Sequence, residues 1–265
     1  MDKIHFSRNE VVKTPVEIGS VNHVVIEDNA EVVLIAQASR IKSDVKTQVT
    51  LGDHAKLTYV NILDSLEASL NTTLEVTQGR GSVLQSLVCD LGEVRGQHHI
   101  KSVLSGEGAE CYLDGLFVLG QSQRSAHKTI IDHATAHTTS AEYYKGILSG
   151  QSEGEFEGKI IVRPHAQKTS SKQMNRNLLL SKSALIHTQP LLEIFANDVK
   201  CQHGATIGRL DEQALFYLQA RGISREDAAR LLTQAFAYEI IARAPESLRD
   251  SLNDLVIKRL GDLQS

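Results

Sequence analysis

The sequence predicts a parallel β-solenoid followed by a small helical domain. Three observations carry that reading: a repeat of 27 residues, strand-type alternation over most of the chain, and helical periodicity after residue 208. Gly52, Gly79 and Gly106 are spaced by 27 residues, and Val49, Val76 and Val103 keep that interval just before them. Ala55, Ser82 and Ala109 continue the register as small residues, and Leu57, Leu84 and Cys111 as apolar ones. The intervening Lys56, Val83 and Glu110 are mostly polar, so the segment has the period of two that marks a strand. A looser copy at residues 27–35 sets Ala30 and Val32 at a spacing of 25 from their equivalents, which starts the strands near residue 20.

Strands at a fixed period, without helices between them, read as stacked coils. At ~3.3 Å per residue, such a coil is a closed path of about 90 Å, enough for two facing strand layers and their corners. The span from residue 20 to 205 accommodates roughly seven coils. A long antiparallel β-sandwich is the competing architecture. Stacked coils expose strand edges at their ends, so a cap or a dimer interface is expected there.

After Gly208 the pattern changes. Asp211 is suited to N-cap a short helix that stops at Gly222, with Ala214, Leu215 and Leu218 on one face. Ser224 and Asp227 form the start signal of a second helix, whose apolar face is Ala228, Leu231, Leu232, Ala235, Phe236, Ile240 and Ile241. Pro245 opens a third, striped by Leu248, Leu252, Leu255, Val256 and Leu260. The chain therefore divides into a β-helix core over residues 1–207 and a helical domain over 208–265. Helices this short bury little among themselves and must dock on the solenoid, on a partner, or on both.

Composition excludes several classes. With 265 residues and 41% hydrophobic content the chain is ordinary globular material. Its 28 Lys and Arg against 32 Asp and Glu give a net charge of −4, which favours neither nucleic acid nor an anionic membrane surface. Cys89, Cys111 and Cys201 stand at unrelated spacings, which argues against a disulfide framework and for a reducing compartment. No signal-peptide core or spanning apolar run is visible, so a soluble cytoplasmic protein is expected.

The residues richest in chemistry are Cys201 and His203. Two apart in an extended segment, they share a face, near the end of the predicted solenoid. A thiol and an imidazole offer soft and borderline ligands for iron, zinc or sulfur chemistry. Lys200 lies next to Cys201, and a nearby cation would favour the thiolate. Cys89 and Cys111 occupy apolar strand positions and are read as core.

Seven histidines are bunched between residues 98 and 187. Of these, His133 and His137 would share a strand face and could chelate a metal with a neighbouring coil, although hydrogen-bonded imidazoles explain the same pattern. The GQSEG run at residues 150–154 matches a nucleophile elbow, with Asp198 and His203 following in hydrolase order. A strand pattern rather than a helix follows it, so it reads as a turn. A β-helical enzyme acting on a polysaccharide would need a carboxylate or basic ladder along one face, and the coils repeat none. A stand-alone homodimer binding metal through its histidine strands is a further reading.

Four stretches carry a family resemblance: HATAHTTSAEYYKGILSG (133–150), QKTSSKQMNRNLLLS (167–181), LLEIFANDVKCQHGATIG (191–208) and LDEQALFYLQARGI (210–223). Over residues 125 to 241 the chain resembles the SufB/SufD family of iron–sulfur cluster assembly proteins, and DVKCQHG looks like SufD rather than SufB. The resemblance implies a right-handed parallel β-helix with a small helical domain, serving as a non-catalytic scaffold subunit. It implies pairing with a SufB-like subunit near the C-terminal end of the β-helix, and docking of a SufC-like ABC ATPase on the helices between residues 211 and 241. It implies that His203 is a ligand candidate for a nascent iron–sulfur cluster or iron at the subunit interface, with Cys201 as a supporting thiol and no nucleotide bound by this chain. Full-length members usually begin with a large helical domain, so a short form is expected here.

Overall fold

The structure, a computed structural model, describes residues 2–37, 44–64, 70–91 and 95–263. The first eight strands are β1 (Asp2–Phe6), β2 (Val11–Glu17), β3 (Val21–Ile26), β4 (Glu31–Gln37), β5 (Val45–Leu51), β6 (Lys56–Leu63), β7 (Thr72–Gln78) and β8 (Val83–Asp90). The next eight are β9 (Gly96–Leu104), β10 (Glu110–Leu119), β11 (Arg124–His133), β12 (Thr139–Leu148), β13 (Glu153–Val162), β14 (Ser170–Leu179), β15 (Leu185–Ile194) and β16 (Lys200–Gly208). Odd-numbered strands form one eight-stranded sheet in sequence order and even-numbered strands the other. Neighbours within each sheet pair in parallel, from β1 beside β3 to β14 beside β16. Each coil thus contributes one strand to each sheet, and the fold is the predicted β-solenoid.

The period is less uniform than the glycine repeat suggests. Along the even sheet, Glu31 pairs with Lys56, Lys56 with Val83, Val83 with Glu110, Glu110 with Thr139, Thr139 with Ser170 and Ser170 with Lys200. The offsets run 25, 27, 27, 29, 31 and 30 residues. The solenoid also begins earlier than residue 20, because β1 pairs with β3 from Asp2 and β2 with β4 from Val11.

Glycine at the repeat positions has a steric cause. A Cβ on Gly106 would lie 2.0 Å from the Arg80 backbone nitrogen on the coil below. Two residues further on, the corner needs a left-handed backbone, which Gly81 and Gly108 supply, and which His54, His137 and Lys168 adopt in other coils. The corners are tied from coil to coil: the backbone N–H of His54 donates to Arg80 (2.7 Å), that of Gly81 to Glu107 (2.9 Å) and that of His137 to Gln167 (2.9 Å).

Between the sheets lies a core in which Ile26, Leu34, Leu57, Leu84, Leu113, Phe156 and Ile160 are fully buried. A second core lies outside the even sheet. Val60, Ile62, Leu87, Cys89, Leu116, Val118 and Ile147 turn outward and are covered by helices α2 (Arg225–Ile241) and α3 (Glu246–Asp262), which follow the short α1 (Glu212–Gln219). This explains why β10 and β12 alternate in burial over their first half and are buried on both faces over their second. Cys111 belongs to the inner core and Cys89 to the outer one, both buried.

Caps set the helix starts as the sequence indicates. Asp211 accepts from the Gln213 N–H, Ser224 accepts from the Asp227 N–H, and Pro245 precedes α3. Polar anchors fix the helices to the sheet. Lys145, buried on β12, donates to the Phe236 carbonyl (2.9 Å) and pairs with Glu239 at 2.6 Å. Arg243 pairs with Asp114 at 3.2 Å, and Arg259 donates to the Val118 carbonyl.

The packed face of α2 differs from the apolar pattern. Thr233 and Ala237 are buried, whereas Leu231 and Ala235 are exposed. Thr233 tolerates burial because its hydroxyl donates to the Ala229 carbonyl. Among the described residues no helix is long and apolar enough to cross a membrane. The GQSEG run is a turn: Gly150 has φ +64° and β13 starts at Glu153.

Substituting Gly106→Ala should destabilise the chain by about 2–3 kcal/mol, since two coils must part. Gly261→Ala, with nothing within 4 Å of its Cβ and a position inside α3, should stabilise by about 0.5 kcal/mol. Chemical denaturation of the two variants checks both signs.

Candidate functional site

Cys201 and His203 lie on β16, the edge strand of the even sheet. Register explains their placement. Leu57, Leu84, Cys111, Ser140, Ser171 and Cys201 form one column from coil to coil. Tyr59, Ser86, Leu113, Glu142, Gln173 and His203 form the column two residues over. Both run along the inner wall, and they turn from apolar to polar as they approach the last coil.

That polarity is hydrogen-bonded inside the wall. The His133 ring meets the Thr138 hydroxyl at 2.8 Å and the Ser140 hydroxyl at 2.9 Å, and Ser140 lies 2.7 Å from the Ser171 hydroxyl. In the next column Gln173 donates to the Glu142 carboxyl at 2.6 Å, and both side chains are fully buried. Burial pushes the Glu142 carboxyl up to about 7.

Cys201 is half-buried and packs against the inner core, while His203 is exposed because no further coil lies beyond it. The expectation of an activated thiolate is corrected. Burial pushes the Cys201 thiol up, against a smaller opposing effect of a backbone hydrogen bond with Ser171. No cation contributes to this shift, Lys200 included.

His133 and His137 do not share a strand face. β11 ends at His133, and His137 sits in the following corner at φ +59°, exposed, while both ring nitrogens of His133 are engaged as described. Burial pushes His133 down to about 4, so it is a neutral imidazole satisfied by hydroxyls.

The last coil also carries apolar groups that the sequence reading did not single out. Leu185 and Ile194 stand exposed at the two ends of β15, Phe195 (61% exposed) just after it and Ile207 (51%) near the end of β16. Both edge strands have a neighbour on one side only. A second apolar surface lies on the helices, where Phe216 (73% exposed), Tyr217, Leu231 and Tyr238 face outward. Large exposed aromatics beside unpaired edges are the signal that could have identified both faces from sequence, had strand order been known.

Residues 14–236 match the family model described as the SufBD core domain of SUF system FeS cluster assembly. The chain belongs to the SufBD family. It is 32% identical over 260 residues to an iron–sulfur cluster assembly SufBD family protein of Synechocystis, covering 92% of this chain and 57% of that protein. It is 37% identical over 172 residues to the iron–sulfur cluster assembly protein SufD of Escherichia coli, covering 64% of this chain and 40% of that protein. Against SufD of Bacillus subtilis the identity is 25% over 285 residues, covering 97% and 63%. The chain thus spans about half the length of these SufBD relatives, and the shared part contains β16 with Cys201 and His203.

Alkylation by iodoacetamide checks the state of the thiols. Cys201 should react more slowly at neutral pH than an unstructured cysteine and gain rate at higher pH. Cys89 and Cys111, buried and pushed up to about 12, should react only after unfolding.

Proposed function

We propose that this SufBD-family chain acts in iron–sulfur cluster assembly as a SufD-like scaffold subunit, without catalysing a reaction of its own. One observation carries the reading: both sheets end on the same coil, and that coil combines open strand edges, an apolar rim and the pair Cys201 and His203. In this reading the coil pairs with a SufB-like β-helix, burying Phe195 and Ile207, and brings the imidazole of His203 to the junction. There it ligates iron or a nascent cluster, which is cargo rather than a resident group. Cys201, held as a thiol in the free chain, gives up its proton once a metal on the partner side offers charge.

The exposed face of α1 and α2 is assigned to a SufC-like ATPase. Its aromatic groups Phe216 and Tyr217 have the character of interface anchors. Because α2 is locked to the even sheet through Lys145, a pull on that face would reach the sheet whose edge strand is β16.

Co-expression with SufB-like and SufC-like proteins separates the two faces. Phe195→Asp should weaken retention of the SufB-like subunit by about 30-fold or more, as loss of a buried aromatic anchor worth roughly 2 kcal/mol. Phe216→Ser with Tyr217→Ser should lose the ATPase alone. His203→Ala should keep both partners and lower cluster yield. An unchanged complex with Phe195→Asp would remove the pairing face from this reading.

A further inference from the structure

Well away from the last coil, the inner core holds a second polar cluster that the proposed scaffold role does not use. Asp90 ends β8 of the even sheet, and His98 and His127 are neighbours on β9 and β11 of the odd sheet. Asp90 Oδ2 lies 3.4 Å from His127 Nε2 and 3.8 Å from His98 Nε2. The side chains are 2%, 1% and 4% exposed. The three ligand atoms all fall within 4.8 Å of one another.

These separations suit a common centre. Atoms bound about 2.1 Å from one ion stand roughly 3.0–3.5 Å apart at tetrahedral or neighbouring octahedral positions, and two of the three distances are already within a few tenths of that range. Two imidazoles and a carboxylate are a borderline donor set of the kind that binds zinc or ferrous iron with positions left open.

The surroundings hold the donors for such a role. Thr72 Oγ1 lies 2.9 Å from His98 Nδ1 and 3.3 Å from Asn61 Nδ2, so a Thr72 that accepts from both leaves the lone pair of His98 on Nε2, facing Asp90. Phe117 stacks on His127 at 5.0 Å and fixes its plane.

A depression lies close to the cluster. About 520 Å³ in volume, it sits at the starts of the odd strands and is lined by Gly96 and Ser125. Ser125 Oγ is 2.5 Å from Asp90 Oδ2, and a Cβ on Gly96 would come within 3.1 Å of His98 Nε2. Gly96 and Ser125 thus both line the depression and stand beside the cluster.

We propose that Asp90, His98 and His127 form an interior site for one divalent first-row transition metal ion, reached through the depression beside Gly96 and Ser125. The site is independent of the last coil and of any partner.

The test is anaerobic titration of chelator-stripped protein with Co(II), read by its visible spectrum and by stoichiometry after desalting. The wild type should bind one equivalent with nitrogen and oxygen ligation and no thiolate charge-transfer band. A Cys201→Ser, His203→Ala double variant, altered only on the open coil, should bind equally. Asp90→Asn and His127→Gln should bind at least 100-fold more weakly. Failure of the wild type to bind stoichiometrically, a thiolate band, or loss of binding in the double variant would each overturn the site, and these readings stand even if the interior variants misfold. Undiminished binding by a folded His127→Gln would overturn it as well.

Discussion

The constraint on which everything else depends is the parallel hydrogen-bond ladder between successive coils. Parallel strands satisfy their backbone only through neighbours on both sides. A solenoid provides these for every coil except the first and the last. The described chain therefore carries unfinished edges at β1 and β2 and at β15 and β16. Cys201 and His203 stand on the β16 edge because the columns of inward residues must end somewhere, and they end there.

The second constraint is the outer face of the even sheet. A strand that buries residues on both faces needs a second cover, and α2 and α3 supply it over β6 to β12. Lys145, buried and bonded to both a carbonyl and a carboxylate of α2, makes the attachment specific rather than merely apolar. This leaves the other side of α2, with α1, free to meet something else. The last coil and the outer face of α1 and α2 are thus joined by one sheet, an arrangement suited to a scaffold.

Much of this was legible in the sequence, and the reasons are steric. Gly52, Gly79 and Gly106 repeat because coil packing excludes a side chain, and that exclusion is visible without coordinates. The later coils hid their period because His137 and Lys168 take the left-handed corner that Gly81 and Gly108 take earlier, and because their offsets of 29, 31 and 30 exceed the 27 of the glycine repeat. The same substitution misled the reading of His133 and His137 as one strand face. On α2, apolar pattern alone could not separate the sheet-facing Ala237 from the outward Leu231. The thiol of Cys201 was expected to be activated by a cation, but its environment depends on which way the strand faces, and its inward, half-buried side is dominated by burial. Asp90, His98 and His127 come together only through register across three strands, which no spacing reveals.

Hydrogen exchange on the dilute isolated chain, repeated with a SufB-like partner added, addresses the open last coil directly. Amides of β10 to β13 should be the slowest, those of β15 and β16 distinctly faster, and the partner should slow β15 and β16 selectively. Equal protection of β15, β16 and the central strands in the isolated chain, or protection by the partner elsewhere while these two stay unchanged, would contradict the account.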